Sequence, residues 1–345
     1  MRIPGEGTAA LGAVGLCFPL IVIIIAFANL FGSGGAPLFS IERGKKDSEK
    51  AGQIMSTSFT MLCISAVLLM GIGLLFAHPL LTLFGASENA MTYAYPYLMN
   101  PFINAQGYSV MGMFSVTIGA VANLVLDPVF IFGFRLGVRG AAIATVISQC
   151  LSALFILYFL SQKAELKLRF LRKKEYKKSI ACAKDIISLG TAGFIMQLTN
   201  SLVTICCNNV LSVTGGDIYI SVMTIVSSVR QLVETPIYAI TEGSSPILSY
   251  NYGARRPGRV KKAGITMGAL ILGYTAVMWS FIILAPDVLI RIFSSDIQLV
   301  QDSVPALKQY FAAFIFMDLQ YLGQTVFKSL NKKKQAIFFS LLRKV

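Results

Sequence analysis

Gly243-Ser-Ser-Pro246-Ile-Leu-Ser249-Tyr-Asn-Tyr-Gly253 runs directly into a basic stretch, Arg255, Arg256, Arg259, Lys261 and Lys262. The same pattern stands earlier in the chain. Gly34-Gly-Ala-Pro37-Leu-Phe-Ser40-Ile-Glu-Arg-Gly44 is followed by Lys45, Lys46 and Lys50. Pro37/Pro246, Ser40/Ser249 and Gly44/Gly253 share one offset of 209 positions. That offset also relates Gly7 to Gly216, Phe84 to Phe293 and Pro96 to Pro305. A spacing held over so long a stretch marks a duplication, so the chain reads as two copies of one unit.

Of 345 residues, 55% are hydrophobic and 13% charged, about half the charged share of a soluble domain. Apolar runs long enough to span a bilayer recur, among them Leu11–Phe31, Ile54–Ala77, Ala141–Leu160 and Ala263–Ala285. Eight or nine membrane helices are expected, and no segment alternates like a barrel strand. The fold class predicted is an all-α polytopic membrane protein of two pseudo-symmetric helical bundles.

The net charge of +14 raises the question of nucleic acid. Most of the 30 Lys and Arg, however, lie in four segments between apolar runs: 43–50, 163–184, 255–262 and 328–344. That is how cytoplasmic loops fix orientation in a membrane, so nucleic acid is not expected as a partner. The turns at 85–92, 215–218 and 286–303 are nearly free of bases and are expected outside, although Arg135 and Arg139 count against the same placement for 133–140. The six cysteines lack metal-ligand spacing and read as small core residues. One histidine, His78, and no acid pair near a loop leave no basis for an enzyme.

In order, the expected helices are Gly7–Ser40, Lys50–Phe84, Val110–Phe134, Val138–Gln162, Ile186–Thr214, Asp217–Tyr250, Arg259–Phe293 and Ile297–Ser329, with an apolar run at Ala336–Leu342. Matching Asn104 to Asn331 leaves the first copy 18 residues short. The segment Met91–Asn104 would then cross as a short, strained helix of roughly 21 Å against a hydrocarbon core of about 30 Å. The division expected is 1–162 as an N-terminal bundle, 163–185 as a basic cytoplasmic linker and 186–345 as a C-terminal bundle. Each copy lacks helices that the other has, so the sequence reads as truncated at both ends relative to a twelve-helix whole.

The repeated G-x-x-P-x-x-S…G signature, Asn104-Ala-Gln-Gly107, Asn123-Leu-Val-Leu-Asp127-Pro128 and Gly137-Val-Arg-Gly-Ala-Ala-Ile-Ala-Thr145 together resemble the multidrug and toxic compound extrusion (MATE) family. The resemblance implies two bundles around a central cavity that export cationic or amphipathic compounds in exchange for Na⁺ or H⁺. It implies a monomer in the cytoplasmic membrane of a prokaryote, with the bilayer and small molecules as its partners and no cofactor beyond the coupling ion. A lipid-linked oligosaccharide flippase of related architecture and an inactive fragment are the alternatives.

Ionisable groups inside a membrane are costly and mark functional candidates. Asp127 is the only charge between Asn89 and Phe134, and Asn123 lies four residues before it on one helical face. With a hydroxyl they make an oxygen-only site for a hard cation or a proton. By resemblance, Asn123, Asp127 and Thr145 fall at the family's N-terminal cation site, with Asn100 beside the gap. An Asp-Pro helix cap is the bland reading. That site in the family often includes an acid on a first helix that has no counterpart here. Asp318, mid-way along the apolar run Gln309–Phe327, is a cavity candidate, or else the partner of Lys308 or of a neighbouring helix. Arg230 and Glu234 are spaced to pair on one helix face, either as a structural pair or as part of the cavity lining. Gln197, Asn200, Thr204 and Asn208 form a polar stripe that serves either a cavity or interhelical bonding.

Overall fold

The computed structural model of the chain describes residues 26–27, 29–75, 112–134, 136–158, 162, 176–293 and 297–342, and among these helix is the only regular structure. In hydrocarbon no water is available for backbone groups, and a helix satisfies them within its own segment. The helices are α1 (29–44), α2 (Ser48–Leu75), α3 (Gly112–Pro128), α4 (Gly137–Tyr158) and α5 (Tyr176–Gly253), then α6 (Pro257–Leu284), α7 (Pro286–Arg291), α8 (Ile297–Phe311), α9 (Phe314–Ser329) and α10 (Lys333–Leu342). Among the described residues, Ser48–Leu69, Ser179–Asn200 and Pro257–Leu284 are long and apolar enough to cross a membrane. Leu124, Val67, Phe316 and Leu284 are between 63% and 83% exposed, as side chains that face lipid are.

The chain forms two compact units. Unit one comprises Met1–Phe39 and Asp47–Leu198, and unit two comprises Ser40–Lys46 and Thr199–Val345. In unit one, Leu30, Phe31, Ile54, Leu62, Ile186 and Leu189 form the core, and Phe27 meets Phe194 edge-on at 5.2 Å. Two glycines let α1 and α5 touch through their backbones. A Cβ on Gly34 would strike the Ile186 carbonyl, and one on Gly190 would strike that of Leu30. In unit two, Val229, Val233, Ile237, Met267, Leu307 and Phe311 lie at the centre of the core.

The duplication is visible in backbone geometry. Lys45 and Ala254 each bond to the carbonyl four residues back, at 3.0 and 2.9 Å. Lys46 and Arg255 each bond to the carbonyl three back, at 3.0 and 3.1 Å, and both have positive φ, 63° and 53°. The next helices begin at Ser48 and Pro257, again related by the repeat offset. The two motif ends also face one another within unit two. A Cβ on Gly44 would collide with the Tyr250 carbonyl and one on Gly253 with the Ile41 carbonyl, two contacts related by that same offset.

Three expectations are corrected. Helical backbone runs unbroken from Tyr176 to Gly253, through the expected turn at 215–218. Gly215 and Gly216 weaken a helix by about 1 kcal/mol each but leave every backbone donor in place. The helix expected over Arg259–Phe293 breaks at Ala285, because Pro286 disfavours helical geometry in the residue before it and opens α7. The helix expected over Ile297–Ser329 breaks at 312–313. There the Phe311 carbonyl accepts the Trp279 indole N–H of α6 at 3.0 Å. The short crossing at 91–104 lies outside the described residues.

Candidate functional site

Asp127 is the penultimate residue of α3. Pro128 follows and brings no N–H, and the chain continues as a π-helical turn, Val129–Gly133, closed by the Phe134 N–H on the Val129 carbonyl at 2.9 Å. Such turns are common beside functional groups. Gly140 of α4 lies against this turn, where a Cβ would collide with the Phe130 carbonyl. Further along, Gly119 of α3 faces Ser148 and Ser152 of α4. The small-residue surface of α4 therefore brings Thr145 to the Asn123–Asp127 face of α3.

The three predicted residues meet there. The Asn123 amide nitrogen donates to Asp127 Oδ1 at 3.2 Å and to Thr145 Oγ1 at 3.3 Å. Thr145 in turn donates its hydroxyl proton to the Ala141 carbonyl at 2.8 Å, which leaves its oxygen lone pairs turned toward Asn123. The amide thus lies between a carboxylate and a hydroxyl oxygen, the donor set a hard cation prefers. All three side chains are half-buried. Asn100 lies outside the described residues.

Unit two carries a second polar group. Arg230 Nε donates to Glu234 Oε1 at 2.8 Å, with the Glu234 side chain 8% and the Arg230 side chain 25% exposed. Arg230 also donates to the Tyr310 hydroxyl of α8 at 3.0 Å. Beside them Tyr238 and Tyr321 share a hydroxyl contact of 3.1 Å with their rings edge-on at 5.2 Å. Asp318 is 1% exposed, and neither carboxylate oxygen has a hydrogen-bond partner among the described residues. The Thr275 hydroxyl of α6 faces it without completing a bond, and it too is fully buried. Asp318 makes no ion pair with Lys308, which is exposed. Gln197 and Asn200 are half-buried on α5, and the side chains of Thr204 and Asn208 lie outside the described residues. Tyr310, Tyr238, Tyr321 and Thr275 were not foreseen from sequence, since hydroxyls in an apolar run carry no pattern of their own. Among the described residues no three His, Cys, Asp or Glu side chains gather as a metal site.

A family model described as MatE matches residues 2–118 and 193–345. This chain belongs to the MatE family. Among its relatives are the multidrug export protein MepA of Staphylococcus haemolyticus (strain JCSC1435), 25% identical over 97% of this chain and 77% of that one, and MepA of Staphylococcus aureus (strain NCTC 8325 / PS 47), 24% identical over 98% of this chain and 77% of that one. Among solved structures, an outward-facing multidrug resistance MATE family transporter of the MOP superfamily aligns with a TM-score of 0.86 at 24% identity, over 98% of this chain and 79% of that one. A MOP superfamily transporter from Pyrococcus furiosus aligns at 0.84, also at 24% identity. The fold is that of the MATE transporters: all-α, polytopic and built of two pseudo-symmetric lobes.

Proposed function

We propose that this MatE protein is a secondary antiporter that exports cationic or amphipathic small molecules across the cytoplasmic membrane, driven by Na⁺ or H⁺ held at Asn123, Asp127 and Thr145. The observation that carries the reading is the Asn123 amide bridging the Asp127 carboxylate and the Thr145 hydroxyl. When Na⁺ binds, the amide turns its oxygen inward, so that carboxylate, amide and hydroxyl oxygens all face the ion. When a proton binds instead, Asp127 becomes a donor and the bridge loses its charge-assisted bond. In both cases loading changes the α3–α4 contact, which is what couples an ion to a conformational change. The staphylococcal relatives, multidrug export proteins by name, support multidrug export. In the second polar group the Arg230 guanidinium is paired with Glu234, which favours a cationic cargo over the anionic one of a flippase. With that pair neutral, Asp318 supplies the remaining negative charge there.

The test is ethidium extrusion from an efflux-deficient host, with and without a Na⁺ gradient. Asp127→Asn is expected to abolish gradient-driven extrusion, while Arg291→Gln at an exposed helix end leaves it intact. Extrusion unchanged in Asp127→Asn would remove the site from the mechanism.

A further inference from the structure

Unit two holds three turns built on one plan, of which the sequence signature shows only two. Leu330 bonds to the carbonyl four residues back at 3.0 Å and Asn331 to the one three back at 3.1 Å, as in the turns at Lys45 and Ala254. Asn331 has φ of 55°, matching Lys46 and Arg255, and α10 starts at Lys333 as α2 and α6 start at Ser48 and Pro257. The three turns also lie together. Gly44 abuts the Tyr250 carbonyl and the Ala254 nitrogen. Ser329, the last residue before the third turn, meets Ser245 through hydroxyls at 2.9 Å and accepts from Ser249 at 3.0 Å through its carbonyl.

Their charge is not required by their shape. The position occupied by Asp47 in the first turn is Arg256 in the second and Lys332 in the third. Asp47 caps α2 by accepting the Lys50 N–H at 2.9 Å, whereas Arg256 makes no side-chain cap. The bases therefore replace a residue that serves the fold better. Lys46, Arg255, Arg256, Arg259, Lys332 and Lys334 are exposed, and none forms an ion pair among the described residues. Arg255, Arg256 and Arg259 flank the start of α6, an apolar helix long enough to span, so they stand at headgroup depth.

We infer that these three turns form one recognition surface for the phosphate groups of anionic phospholipids in the leaflet that the basic loops face. The bilayer is the source of the ligand, because the bases sit where a spanning helix leaves it. To test this, the purified full chain is placed in phosphatidylcholine with and without phosphatidylglycerol. Retained lipid is counted by native mass spectrometry and stability is read by thermal unfolding. Phosphatidylglycerol is expected to be retained and to raise the unfolding temperature, less so as salt is added. The triple substitution Arg255→Gln, Arg256→Gln, Arg259→Gln is expected to weaken that retention about a hundredfold, at about fivefold per base. Lys332→Gln with Lys334→Gln gives a second, independent loss, and Arg291→Gln gives none. Equal retention of both lipids by the unsubstituted chain, or displacement of phosphatidylglycerol by inorganic phosphate at matching concentration, would overturn the assignment.

Discussion

A single repeated position separates what a residue is from where it stands. Gly34 and Gly243 occupy the same place in the two copies of the motif, yet a Cβ on Gly34 would strike backbone while one on Gly243 would meet nothing within 4 Å. Gly34→Ala is therefore expected to destabilise by roughly 1–3 kcal/mol through overpacking. Gly243→Ala, by contrast, should be neutral or stabilising by up to about 1 kcal/mol. Thermal unfolding in detergent reads both, and equal losses would contradict the packing described. At Asp318, two buried carboxylate oxygens without a completed hydrogen bond among the described residues are a standing cost. Asp318→Asn should raise the unfolding temperature by an amount equivalent to about 1 kcal/mol or more while lowering export, the exchange expected of a functional polar group. At the Asn123 bridge, Asn123→Ala should weaken apparent Na⁺ or proton affinity by roughly 10- to 100-fold, as loss of a bond to a charged group does. Asp127 was legible because it stands alone in a long uncharged stretch. The orphan state of Asp318 was not, because it depends on what α6 places opposite it.

Among the elements, the sequence marks apolar runs well and their interruptions poorly. Pro286 is a visible reason for the break between α6 and α7. The break between α8 and α9 falls at Ala312-Ala313, which carries no helix-breaking residue. What holds it is tertiary: the carbonyl freed at Phe311 is taken up by the Trp279 indole on another helix. Trp279→Phe keeps the ring and removes that donor, so it should cost about 1–3 kcal/mol, the penalty of a buried acceptor left unpaired. Unfolding measurements that show no loss would mean the break is held by something else. The reverse error occurred in α5, where a glycine pair reads as a turn but the backbone remains helical. The π turn after Asp127 was equally hidden, since Pro128 signals only a missing donor and not how the chain absorbs it.

At the scale of the molecule, the duplication was the most legible feature, because identities at a fixed offset need no knowledge of packing. The structure adds what identities cannot: matching hydrogen bonds at Lys45 and Ala254, matching positive φ at Lys46 and Arg255, and the mutual glycine–carbonyl contacts of Gly44 and Gly253. The third turn of this kind, at Asn331, lacks the G-x-x-P-x-x-S signature and is recognised from its backbone. A repeated scaffold with a polar group in each unit suits the exchange proposed above, in which ion and cargo would bias the same two-state protein. The most direct measurement is ethidium movement in proteoliposomes of the purified chain under an imposed Na⁺ or proton gradient, with the Asp127→Asn chain alongside. The account predicts gradient-driven transport in the first and none in the second. Transport indifferent to both gradients, or equal in the two chains, would contradict it.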